Sequence, residues 1–95
     1  MSIRIAEWDF DEHNTEELWR HGISDADVIA MLDGRIEVVR NKGDRAGSHK
    51  VIGLDRGGRL ITIIAVPIST RQGIWRPITG WDSVPGEKTK WRGNR

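Results

Sequence analysis

Cysteine and tyrosine are absent from this 95-residue chain, phenylalanine occurs once and proline three times. Without cysteine there is no disulfide framework and no thiolate metal site, so packing and hydrogen bonds must hold the fold. No apolar run approaches the roughly 18–20 residues of a membrane span. The longest, Leu60 to Ile68, is interrupted by Thr62 and Pro67. The first residues lack the charged-then-apolar layout of a signal peptide, so a cytoplasmic protein with no membrane attachment is expected. Phosphate-binding loops of the GxxxxGKS/T or GxGxxG type are missing. His13, His21 and His49 stand without an i, i+4 partner or HExxH spacing, so neither a metal nor another cofactor is expected.

What is present suffices for one modest core under a charged surface: 37% of residues are apolar and 31% charged, which argues against disorder. A chain this short makes a single domain over residues 1–95, with 92–95 expected to fray. The net charge of +1 hides a split. Residues 1–34 carry two basic and nine acidic side chains, net −7; residues 35–95 carry thirteen and five, net +8. Such a split is the signature of a polyanion-facing surface, or of two acidic surface helices balanced by the rest.

Ile3 and Ile5 ahead of Trp8 suggest a first strand. Asp9 reads as a helix N-cap with Glu12 three residues on, and Gly22 as the left-handed stop after His21. Leu18 and Trp19 are the apolar contacts of this helix, and Trp8 and Trp19 are expected in the core. The His21 imidazole also suits the negative end of the helix dipole. Ser24 with Asp27 opens a second helix, stapled by Ile23 and Val28, with Val28, Ile29, Met31 and Leu32 as its stripe. From Arg35 the period changes to that of strands: Ile36–Val39, Val51–Leu54, Leu60–Val66 and Ile74–Thr79. Asp55-Arg56-Gly57-Gly58 is a hairpin turn. The apolar run Leu60–Val66 fits a central strand buried on both faces, and Pro77 predicts an edge or a bulge in the strand that holds it. A last helix begins near Ser83–Pro85 and reaches Trp91. The sum is an α+β fold: a small antiparallel sheet packed by two N-terminal helices and a short C-terminal one.

Five tryptophans among so few other aromatics are unusual. Trp75, Trp81 and Trp91 fall in the basic half beside Arg76, Lys88, Lys90 and Arg92. Aromatic planes interleaved with cations are what single-stranded nucleic acid needs, although packing of the last helix explains Trp81 and Trp91 equally well.

The order of these motifs resembles the BrnT family. Trp8-Asp9, followed by Leu18-Trp19-Arg20-His21-Gly22-Ile23-Ser24, is similar to that family's helix start and its Lys/Arg-His-Gly junction. Val51-Ile52-Gly53-Leu54-Asp55 with Gly58-Arg59-Leu60-Ile61 resembles its hairpin. Arg76-Pro77-Ile78-Thr79-Gly80 resembles its Arg-x-Ile-Ser-Ala strand end, and Glu87-Lys88 with Trp91 its terminal helix. Trp81 stands where the family usually carries Arg or Lys, and Val84 where it has a capping Thr. The resemblance implies a RelE-like fold and the toxin of a type II toxin–antitoxin system. Such a toxin is a ribonuclease that inhibits translation, held by a cognate antitoxin in a hetero-oligomer or as a homodimer.

A metal-free ribonuclease needs a base for the 2′-OH, cations for the charge developing on phosphate, and an acid for the leaving oxygen. Arg76 is the candidate for phosphate, because its planar fork binds phosphate bidentately; the competing reading is a strand Arg paired with an acid. Glu87, Lys88 and His49 are the candidates for proton transfer, against a solvated helix face or loop. Lys50, Trp81, Lys90, Trp91 and Arg92 are the candidates for binding RNA, free or on the ribosome. The competing class is a non-catalytic module of the same fold that binds RNA or protein.

Overall fold

The structure, a computed structural model, describes residues 3–43 and 45–93. Its elements are β1 (Glu7–Trp8), α1 (Glu12–Arg20), α2 (Asp25–Met31), β2 (Glu37–Arg40), β3 (His49–Leu54), β4 (Leu60–Pro67), β5 (Ile74–Asp82) and α3 (Pro85–Arg92). The strands form one sheet in the order β1-β5-β4-β3-β2, which makes a compact α+β fold.

The first strand is shorter and later than Ile3 and Ile5 suggest, because its position is set by β5. Ala6 and Glu7 donate to the Gly73 carbonyl, and Asp9 to that of Trp75. This pairing is parallel, so the sheet is mixed rather than wholly antiparallel. It also moves the helix start. The Asp9 N–H is still committed to β5, and the N-cap is Asp11 instead. Asp11 Oδ1 accepts from the Asn14 N–H at 2.8 Å, and Asn14 Oδ1 accepts from the Asp11 N–H at 2.9 Å. An asparagine thus does the work expected of Glu12, and its amide also donates to the Asp9 carbonyl.

At its far end α1 closes as the sequence predicts. Gly22 takes φ +75°, its N–H meets the Trp19 carbonyl, and Ile23 N–H reaches back to that of Leu18. This is the Schellman pattern, and its apolar contact is present because Leu18 and Ile23 are both fully buried. Ser24 and Asp27 cap α2 reciprocally, each accepting from the other's N–H at 3.1 Å.

β4 is the central strand, buried on both faces. Ile61, Ile63 and Ala65 join Leu18, Val28 and Met31 in the main core under α1 and α2. Strand alternation turns Thr62 and Ile64 to the opposite face, which α3 covers. Gly80 is required where β5 crosses this layer: a Cβ there would lie 2.7 Å from Ile63 Cδ1 and 2.8 Å from the Thr62 carbonyl.

Pro77 does mark a bulge, but β5 is not an edge. The β4 register slips between Ile64 and Ala65, which pair with Thr79 and Pro77 and leave Ile78 extra. The proline is tolerated inside the sheet because β1 pairs only with Ile74 and Trp75. Beyond them α1 flanks the strand. Arg76 forms an ion pair with Asp11, and Thr79 Oγ1 donates to Glu17 at 2.9 Å.

Two further expectations change. Arg92 belongs to α3 instead of opening a frayed tail; residues 94 and 95 of that tail lie outside the described residues. Trp19 is 68% exposed, because Leu18 takes the inward position and the next residue is turned about 100° away. Among the described residues no helix is long and apolar enough to cross a membrane.

Trp8, by contrast, is 7% exposed and its indole N–H donates to the Val28 carbonyl at 3.0 Å. Trp8→Ala is therefore expected to cost about 3–5 kcal/mol in urea unfolding, and Trp19→Ala less than about 1 kcal/mol. Equal losses for the two would contradict this placement.

Candidate nucleic-acid interface

The start of α3 has no side-chain oxygen at its cap. Val84 occupies that position, and the neighbouring Ser83 is turned toward Thr62, with the two hydroxyl oxygens 2.8 Å apart. Pro85 at the first helical position has no N–H to satisfy. Glu87 completes the turn by reaching back to the Val84 N–H at 3.0 Å.

Glu87 is only 5% exposed, and its carboxylate takes donors from three strands besides. Oε1 also accepts from Thr62 Oγ1 of β4 at 2.9 Å and from Trp81 Nε1 of β5 at 3.1 Å. Oε2 accepts from Lys50 Nζ of β3 at 2.9 Å. Because the Thr62 hydrogen is spent on Glu87, Ser83 donates to Thr62. Burial alone would raise the Glu87 carboxyl, but the donors from Val84, Lys50, Thr62 and Trp81 outweigh it and hold the group below the usual glutamate range. Among the described residues no buried side-chain nitrogen or oxygen lacks a partner.

Lys50 is the hinge between this network and the surface. Its ammonium faces a groove of about 360 Å³ walled by β2, the chain after it and α3. Arg40, Lys42, Lys50 and Lys90 line it with Glu87, over an apolar floor that includes Val39 and Val84. Among the described lining residues the cations outnumber the one carboxylate, Glu87, which is paired with Lys50. A second depression of about 340 Å³ shares Val39 and Lys90 and extends along β2 to Gly93. Beyond it, the Arg35 guanidinium lies 4.3 Å over the Trp91 ring, and Trp91 Nε1 donates to the Arg35 carbonyl at 3.1 Å. This pair staples the end of α3 to the chain entering β2.

The structure thus brings together Lys50, Glu87 and Lys90, with the half-buried Trp81 hydrogen-bonded to Glu87 and Trp91 near the end of α3. It sets the others apart. His49 points to the core side of β3, where its ring meets Trp75 edge-on at 5.0 Å and Nδ1 contacts Ser48 Oγ at 2.7 Å. Arg76 is paired with Asp11 beside α1, as its competing reading had it. Lys88 and Arg92 are exposed on α3 and line neither depression. Arg40 and Lys42 were not singled out by sequence; their only signal is that basic residues end β2 and follow it. No group of three or more acidic or histidine side chains arranged to hold a metal ion occurs among the described residues.

No protein-family model, curated protein or solved structure matches this chain.

Glu87→Ala strips the acceptor from four donors and is expected to cost about 3–5 kcal/mol. Glu87→Gln keeps one oxygen but aims an amide N–H₂ at Lys50, so its cost should be smaller. The carboxyl is more acidic folded than unfolded. Its contribution is therefore complete above about pH 4.3 and fades as pH falls through the folded value. Urea unfolding should show the gap between wild type and Glu87→Gln narrowing in acid; a gap that stays constant below about pH 4 would contradict the assignment.

Proposed function

We propose that this chain is a BrnT-like toxin of RelE-like fold, the toxin of a type II toxin–antitoxin system, which binds RNA along the basic groove and cleaves it without a metal. One observation carries the reading: Lys42, Lys50 and Lys90 converge with Arg40 on a single groove, and among its described lining residues the one carboxylate, Glu87, is paired with Lys50. A surface of that kind attracts a phosphodiester backbone and releases its counterions. Lys50 and Lys90 are the groups placed to stabilise charge on a phosphate. The fold and activity come from the motif resemblance, and the substrate class from the groove's charge. The target lies in the cytoplasm. An acidic segment of the antitoxin would meet the same cations and compete with RNA.

A second reading, a non-catalytic RNA-binding module of this fold, is favoured by one feature. Glu87 has both oxygens engaged and a lowered pKa, which makes it a poor proton acceptor, while Arg76 and His49 lie outside the groove. Incubation of the purified protein with single-stranded RNA in EDTA separates the two. Fragments support the nuclease; retention without fragments supports the binder. Binding that is absent, or indifferent to salt, contradicts both.

Lys42→Ala and Lys90→Ala together leave the Glu87 network untouched. The double variant should weaken RNA binding and reduce the slope of log K against log salt by about 1.4, near 0.7 for each lost phosphate contact. An unchanged slope would place the RNA elsewhere.

A further inference from the structure

We propose that a second surface, on the acidic half of the chain, docks a basic amphipathic segment of a partner protein. It does not rest on the RNA reading and shares no residue with the basic groove.

Two depressions of about 480 and 340 Å³ lie side by side against the N-terminal segment and the end of α2, and share Ala6, Leu32 and Asp33. Their apolar walls include Ile3, Phe10, Ile29 and Ile36. Of these, Ile29 is 52% exposed and Ile3 46%. The reason lies in α2. Its inward side is satisfied by Val28 and Met31, which are fully buried, so Ile29 extends the apolar stripe past the core. Together the two depressions form a continuous trough with an aliphatic side chain exposed in each.

The rim gives the occupant's chemistry. Glu7 and Asp33 line the trough, both are exposed, and neither makes an ion pair with a described residue. Arg4 is the one cation among the described lining residues. Residues 3–34 carry nine carboxylates and two cations; of these carboxylates Asp11, Glu16, Glu17 and Asp27 are ion-paired elsewhere, and Glu7 and Asp33 are the two at the trough. Two carboxylates against one arginine favour a cationic occupant over nucleic acid or anionic lipid. A polypeptide segment with an apolar stripe flanked by Lys or Arg matches both the aliphatic floor and the unpaired carboxylates.

The test uses the full chain, labelled with nitrogen-15, and two synthetic amphipathic helices with the same leucine stripe, one flanked by lysine and the other by glutamate. The Leu/Lys peptide should shift amides within residues 3–10 and 29–36, and bind roughly tenfold or more tighter than the Leu/Glu peptide. Ile29→Asp or Ile3→Asp should each weaken it by roughly tenfold. Both sites are exposed, and circular dichroism checks that each variant is folded. Asp33→Lys should weaken the Leu/Lys peptide and strengthen the Leu/Glu one, while the Lys42/Lys90 double variant should leave both unchanged. Equal binding of the two peptides, shifts centred outside the trough, or indifference to both aspartate variants would overturn the proposal. So would self-association of the free chain abolished by Ile29→Asp, because the occupant would then be a second copy.

Discussion

The buried carboxylate of Glu87 ties α3 to three strands of the sheet. Val84 caps α3, Trp81 is next to last in β5, Thr62 lies in β4 and Lys50 is second in β3, and each sends its donor to the same two oxygens. A carboxylate taken out of water is expensive unless it is both paired and hydrogen-bonded. Here one cation and three neutral donors meet that requirement, and in doing so fix where α3 lies on the sheet. The Arg35–Trp91 contact then holds the other end of the helix. Between these two anchors, α3 forms one wall of the basic groove.

The network also places Lys50. A lysine facing open solvent samples many rotamers; this one lines the groove with its ammonium held at 2.9 Å from Glu87. Trp81 completes the arrangement. Where the resemblance leads one to expect a cation, the indole supplies an N–H to Glu87 without adding charge, so the ion pair belongs to Lys50 alone.

Local chemistry was the legible part of the sequence. The Ser24–Asp27 box, the Gly22 stop, the Asp55–Gly58 turn and the central run of β4 each follow from residues within one turn or strand of each other. The misread features depend on partners distant in the chain. Nothing near Asp9 shows that β5 will claim its N–H and delay α1 to Asp11. Nothing near Pro77 shows that β1 stops pairing at Trp75. The candidate site divides the same way. Glu87, Lys50 and Lys90 could be nominated from charge and position, but their convergence, and the removal of His49 and Arg76 to other surroundings, are properties of strand register. His49 and Lys50 are neighbours in sequence and alternate across the sheet. Arg40 and Lys42 reach the groove only through the placement of the end of β2 near α3, which nothing local to them shows.

The account's central claim is that the basic groove between β2 and α3 is where RNA lies. Photo-crosslinking of the native protein to a single-stranded RNA carrying 4-thiouridine tests it most directly, with crosslinked peptides located by mass spectrometry. Crosslinks within residues 39–42, at Lys50 and along 86–91 are the predicted result. Crosslinks concentrated at His49, Arg76 and the start of α1, with none along α3, would contradict it.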